Sequence, residues 1–261
     1  MRRIFADPGA FLDDKVFITE RDDIFYVSGI LRMKEGDVLL VSDGAGRAWE
    51  AKISEISKQK IELSVLKELP QSDGYRSRIT LYQGIPKGAK MDEIVRKATE
   101  LGVFRIVPVL TERSVPEWKN GVSQQKLLRW RRITEEASRQ ARRVSVPAVD
   151  DVVPMSEASE GIKGAGYDSV LVLYELEERN SLKSALRMLK EKKPENQNIA
   201  VFIGPEGGFE TEEVEALVAV GAEPVTVGET ILRTETAGPA AIAMIIYELE
   251  LAIGSEREVL L

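Results

Sequence analysis

The sequence predicts an α/β protein of two domains: a small strand-rich one, then a larger one built on a mainly parallel sheet. Three observations carry this. A chain of 261 residues is long enough for one small and one medium domain. Short apolar runs separated by turns fill the first seventy residues, whereas strands and helices alternate after residue 74, the pattern of a sheet covered on both faces. Finally, between Val201 and Ala237 an apolar strand twice breaks into a glycine-bearing loop and then enters a helix.

In the first domain, Asp37–Ser42, the turn Asp43-Gly44-Ala45-Gly46, Arg47–Ile56 and Lys60–Leu66 read as strands joined by hairpin turns, a small barrel or sheet. Pro70-Gln71-Ser72-Asp73-Gly74 is polar and turn-prone, which predicts domains 1–73 and 74–261. Beyond it, strands are expected near 78–84, 104–109, 169–174, 199–203 and 224–227. Helices are expected near 89–102, 122–143, 181–191, 211–220 and 236–253. From Ala240 to Ile253 the last helix is apolar almost all round, interrupted by Glu248 and Glu250. Too short to span a bilayer, it is expected to be buried inside the domain or against a second subunit, so a homodimer is anticipated.

Composition excludes several chemistries. There is no cysteine and no histidine, so disulfides, thiolate nucleophiles, cysteine-ligated metals and Ser-His-Asp triads are ruled out, and no metal is expected. Met1-Arg2-Arg3-Ile4-Phe5 meets Asp7, Asp13 and Asp14 too early to hold a signal-peptide core, and a cytoplasmic protein without a membrane span is expected. Net charge is −7, yet it runs −3 over residues 1–75, +9 over 76–143 and −13 over 144–261. A polyanion would be drawn to the middle segment alone.

The repeated loops lie where open α/β sheets bind ligands, at the carboxyl ends of strands. Glycines at 204, 207 and 208 let backbone approach a ligand, but Glu206, Glu210, Glu212, Glu213 and Glu215 crowd the loop and would repel phosphate. GxGxxG and GxxxxGK[ST] are absent, so a dinucleotide or a P-loop nucleotide is disfavoured. A neutral or cationic ligand suits the loop, as does a plain strand-to-helix turn. In the second loop Thr234 or Thr236 is expected to cap the following helix, with Pro239 in its first turn. Arg233 is not explained by capping; it either pairs with a nearby glutamate or contacts substrate.

On the 122–143 helix, Arg129, Arg132, Arg139 and Arg143 fall within a sector of roughly 80°, while Trp130, Ile133, Ala137 and Ala141 form a stripe on another side. The stripe is expected to face the core and the arginines to face outward. Extended by Lys87, Lys90, Arg96 and Lys97, that face is suited to phosphate contact.

With these residues in hand, the chain resembles the SPOUT-class RNA methyltransferases that modify N3 of a uridine in bacterial small-subunit (16S) ribosomal RNA. The motifs are Gly84-Ile85-Pro86-Lys87-Gly88 with Lys90-Met91-Asp92-Glu93-Ile94, Lys97 to Val103, Glu136-Ala137 with Gln140 and Arg143, Ile203 to Phe209, and Ile231 to Ala237. The resemblance implies an N-terminal PUA-like β-barrel that binds RNA, a C-terminal domain with a trefoil knot, a homodimer, and S-adenosylmethionine as cofactor. It implies that Leu173, Ile203, Gly204, Glu206, Gly207, Gly208, Gly228, Ile231, Leu232, Thr234, Glu235, Thr236 and Ala237 hold the cofactor, and adds Arg32 and Gln140 to the RNA-contacting residues. Arg233 would stabilise charge developing on the uracil imide, with Glu206, Glu235 or solvent taking the N3 proton. The chain departs from the family at Phe25-Tyr26, where members often carry histidine, and at Gly238, where alanine is commoner. Rival readings are a ribose 2′-O-methyltransferase on the same scaffold and a non-catalytic ribosome-assembly protein that binds RNA.

Overall fold

Apolar side chains alternate along the strands of the first domain, so one face of each is driven inward. In β4 (Val38–Ser42) Leu39 and Val41 are buried, in β5 (Ala48–Ile56) Ala51 and Ile53, and in β6 (Ile61–Glu68) Ile61 and Leu63. The Asp43 carboxylate accepts hydrogen bonds from the amides of Ala45 (2.8 Å) and Arg47 (3.0 Å), which closes the β4–β5 turn. The computed structural model describes residues 2–70, 75–114 and 124–250. Four elements join the expected three strands: β1 (Arg3–Phe5), β2 (Phe11–Leu12), β3 (Lys15–Ile18) and a short helix, α1 (Arg21–Phe25), which continues as a π turn, Tyr26–Ile30. The sheet order is β1-β4-β5-β6-β3-β2, with β1 parallel to β4 and the other pairs antiparallel.

Two compact units emerge, Met1–Gly74 with Glu135–Val146, and Tyr75–Thr134 with Pro147–Leu261. Segment 135–146 belongs to the first because Ser42 Oγ donates to the Val144 carbonyl and the Arg3 guanidinium donates to the carbonyls of Arg142 and Arg143.

The second unit begins with β7 (Arg78–Gly84) and α2 (Lys90–Leu101), then β8 (Arg105–Leu110) and α3 (Gln124–Gln140). Two short strands follow, β9 (Ala148–Val149) and β10 (Val153–Pro154), with α4 (Met155–Ile162). The remainder runs β11 (Ser169–Leu173), α5 (Leu182–Lys192), β12 (Asn198–Ile203), α6 (Thr211–Ala219), β13 (Glu223–Val225) and α7 (Thr234–Glu250). Every pairing is parallel, in the order β10-β8-β7-β12-β11-β13, with β9 also on β8. Ile199, Val201 and Ile203 of β12 pack with α2, α3, α5 and α7 on one face of the sheet; Ala200 and Phe202 pack with α4 and α6 on the other. Chain order reverses between β7 and β12, so the carboxyl ends of β11, β12 and β13 border one crevice.

Expectations about two helices are corrected. The helix carrying the arginines ends at Gln140, not 143, because Arg142 adopts a left-handed backbone (φ 57°) and the chain turns there. Ala141 is therefore exposed, and Arg143, off the helix face, is 9% exposed. The last helix starts at Thr234, two residues early, which places Pro239 in its second turn and removes the amide that would bond the Glu235 carbonyl. Along α7 the buried residues include Ala241, Ile242, Ile245, Ile246 and Leu249, while Met244 and Tyr247 are exposed; positions 251–253 lie outside the described residues. Among the described residues no helix is long and apolar enough to cross a membrane.

Candidate active site

The loops that leave β11, β12 and β13 enclose a cleft of about 910 Å³. Leu173, Ile203, Gly204, Glu206, Gly207, Gly208, Gly228, Ile231, Leu232, Arg233, Thr234 and Ala237 line it, together with Lys90; Glu235 and Thr236 do not. Leu173 and Leu232 pack on the core from the wall, whereas Ile231 is 83% exposed at the rim and closes no apolar pocket by itself.

Three residues that sequence reasoning passed over hold these loops. Gln83, fully buried at the end of β7, donates from Nε2 to the Gly84 carbonyl (3.0 Å) and to Thr234 Oγ1 (3.0 Å). Thr234 Oγ1 in turn donates to the Gly204 carbonyl (2.7 Å). The Thr234 hydroxyl thus ties the first loop to the helix after the second rather than capping that helix, whose leading amides at Thr236 and Ala237 bond the Arg233 carbonyl. A Cβ on Gly238 would stand 3.2 Å from Gln83 Oε1, so alanine there would press on this carboxamide. Arg113 grips the far end of the first loop, with Nε and Nη2 on the Glu210 carboxylate (2.7 and 2.8 Å) and Nη1 on the Gly207 carbonyl. Glu210 also forms a capping box with Glu213 at the start of α6. Glu175 lies against Gly208, where a Cβ would sit 2.3 Å from its mobile carboxylate end and displace it; the backbone at φ 70° is what favours glycine there.

Five carboxylates, Glu175, Glu177, Glu178, Glu206 and Glu229, face two cations, Lys90 and Arg233, around the cleft. Lys90 Nζ lies 2.9 Å from Glu206 and 3.4 Å from Glu235, so it clamps two acids and is not presented outward as an RNA contact. The Glu206 hydrogen bond holds the Lys90 ammonium above its ordinary pKa. Burial alone would raise the Glu206 carboxyl, but hydrogen bonds from Lys90 and from backbone amides, including that of Lys87, outweigh it and hold the group below its ordinary value. A carboxylate so stabilised is a weak base that is ionised at neutral pH. Arg233 is exposed, and among the described residues no carboxylate pairs with its guanidinium.

The remaining basic residues are dispersed. Lys87, Arg132, Gln140 and Arg32 are exposed; Arg129 is exposed yet pairs with Asp92 (2.7 Å). Arg139, expected to face outward, lies over the Tyr26 ring at 5.4 Å and pairs with Asp23 (2.8 Å) and with Glu135. Burial lifts the Asp23 carboxyl, and Arg139 only partly offsets that. Among the described residues no cluster of three or more aspartates or glutamates is arranged to hold a metal ion.

A parallel sheet with a glycine-lined, acid-bordered cleft at its strand ends, preceded by a separate strand-rich unit, is the architecture of an α/β protein with a small-molecule site. Residues 74–246 match the family described as RNA methyltransferase domain, and residues 18–66 the one described as RNA methyltransferase PUA domain. The chain is 32% identical to the ribosomal RNA small subunit methyltransferase E of Synechocystis, over 95% of this chain and 78% of that one. It is 29% identical to the Bacillus subtilis protein of that name, over 90% and 91%. The crystal structure of the Neisseria gonorrhoeae ribosomal RNA small subunit methyltransferase E bound to S-adenosyl methionine superposes with TM-score 0.78, at 28% identity over 95% of this chain and 97% of that one. The chain belongs to the ribosomal RNA small subunit methyltransferase E family.

The residues present fit that family's cofactor. Backbone lines the cleft at Gly204, Gly207 and Gly208, a surplus of carboxylate suits a sulfonium cation, and Leu173, Ile203, Val227 and Leu232 offer apolar wall for an adenine.

Proposed function

We propose that this protein methylates N3 of a uridine in small-subunit (16S) ribosomal RNA, with Arg233 as its catalytic residue. The observation that carries the assignment is the Arg233 guanidinium, exposed at an acid-bordered cleft with no carboxylate partner among the described residues. S-adenosylmethionine, when bound, supplies a methyl group already activated by its sulfonium. Arg233 hydrogen-bonds a uracil carbonyl oxygen as the N3–H bond breaks and negative charge spreads over the imide. The N3 electron pair forms the new bond to the methyl carbon as the S–CH3 bond breaks and its electrons pass to sulfur, leaving a neutral thioether. The N3 proton goes to solvent or to the Glu206 carboxylate at the cleft. Gly204, Gly207, Gly208, Gly228, Leu232, Thr234 and Ala237 shape the cofactor wall, and alignment of the base with the methyl group supplies much of the rate.

In the second unit Lys87, Arg129 and Arg132 contact RNA phosphates; in the first, Arg32 and Gln140 do so. The reading includes a cytoplasmic location, the trefoil knot, and a homodimer that covers the exposed Met244 and Tyr247 of α7. The test is transfer from labelled cofactor to isolated small subunits and to naked rRNA in parallel, followed by nucleoside mass spectrometry. Label in 3-methyluridine is expected; label on a ribose hydroxyl, or none, overturns the assignment.

A further inference from the structure

The first unit has its own groove, of about 1080 Å³, between α1 with its π turn and the tip of the β5–β6 hairpin. Ile24 and Met33, 6% and 7% exposed, form an apolar floor. Arg21, Lys34 and Lys58 stand on the rim, and no carboxylate pairs with their side chains among the described residues. The groove's lining includes one acid, Glu35, whose carboxylate accepts the Ile56 amide at 3.3 Å.

Phe25 is out of place on such a rim by ordinary burial preferences, being 65% exposed. Its ring nonetheless lies against the backbone of the turn that follows. The π turn, closed by the Leu31 amide on the Tyr26 carbonyl (2.8 Å) and by Ser28 Oγ on the Ile24 carbonyl (2.7 Å), carries Gly29 beneath it. A Cβ on Gly29 would stand 2.9 Å from Phe25 Cε2, so the ring rests against bare backbone. A π turn inside a helical segment often marks a functional position. A solvent-facing aromatic ring amid unpaired cations has the chemistry that binds single-stranded nucleic acid: the ring stacks a base and the cations meet its phosphates.

We propose that this groove seats one unstacked base of the RNA on Phe25, with Arg21, Lys34 and Lys58 on the flanking phosphates. The proposal rests on RNA being the substrate. It adds a subsite that selects unpaired RNA, separate from the cleft where the methyl group is transferred.

The full chain is titrated with a single-stranded RNA of about ten nucleotides of mixed sequence, and with the same sequence as a duplex. Phe25→Ala is expected to bind the single strand about tenfold more weakly than wild type, and Phe25→Trp to bind within about twofold of it. The tryptophan fluorescence of Phe25→Trp falls further than that of wild type on adding the single strand, but not on adding duplex. All three keep the same slope of log affinity against log salt, whereas Lys58→Ala lowers that slope by about one. Equal single-strand affinity in Phe25→Ala and wild type overturns the proposal, as does equal quenching by duplex or a Phe25→Trp variant as weak as Phe25→Ala. Cofactor affinity is measured beside each titration and stays at the wild-type value if the fold is intact. Fluorescence reads the groove without any methyl transfer. A protein that quenches but does not methylate rRNA refutes the enzymatic reading alone; one that methylates with an unchanged RNA KM in Phe25→Ala refutes the groove alone.

Discussion

In the second unit, the cleft at the strand ends sets five carboxylates against Lys90 and Arg233; in the first, the groove beside Phe25 sets Arg21, Lys34 and Lys58 against Glu35. Whole-chain charge, −7, conceals this division. A cationic cofactor is favoured where a polyanion is repelled, and RNA phosphates are favoured where the sulfonium gains nothing. Arg233 is the exception on the acidic side, which is why it is assigned to the reaction rather than to cofactor affinity.

That contrast can be broken at several points. Arg233→Ala should lower the single-turnover rate about 10²- to 10³-fold while cofactor affinity holds, as calorimetry beside rapid quench would show; equal losses in both would return Arg233 to the cofactor side. Lys90→Met, which removes a cation from the cleft and frees Glu206 and Glu235, should strengthen cofactor binding, by no more than about fivefold because the pair is partly exposed. In the first unit, Arg139→Ala leaves Asp23 without its cation and Tyr26 uncovered, at a cost of about 2 kcal/mol in denaturant unfolding. RNA affinity should also weaken, because α1 and its π turn carry Phe25.

The smallest effect is on pH. Because the Glu206 carboxyl is depressed in the folded protein, the stabilisation from its Lys90 pair is complete above the ordinary carboxylate pKa of about 4.3 and is lost only as pH falls through the lower folded value. Cofactor affinity measured from about pH 8 down to 5 should therefore be flat. An inflection in that window would show that Glu206 is not clamped.

The second unit was far more legible in the sequence than the first. Its strands are continuous apolar runs buried on both faces, and its helices, such as α2 with Met91, Ile94, Val95 and Ala98, repeat at helical spacing. Elements β1, β2, β3 and α1 have two to five residues each, too few for periodicity to register, and β1 and β3 are fixed by long-range pairing with β4 and β6. At the site, the glycine loops and Arg233 were readable because the residues are contiguous. Gln83 and Arg113 were not, since each arrives from a distant strand end, although a lone glutamine closing an apolar strand is a signal that could be used. Periodicity grouped Arg139 and Arg143 on one face; it could not show that the helix stops at Gln140 or that Asp23 and Tyr26 cover Arg139.

The most direct test of the division between the two sites is calorimetry of S-adenosylmethionine, without RNA, into wild type and into Gly208→Val, which puts a β-branched side chain at a cleft-lining position whose φ of 70° disfavours it. Binding to wild type and none to the variant, with RNA affinity the same in both, is the predicted result. Equal cofactor binding in both proteins, or none in either, would contradict it.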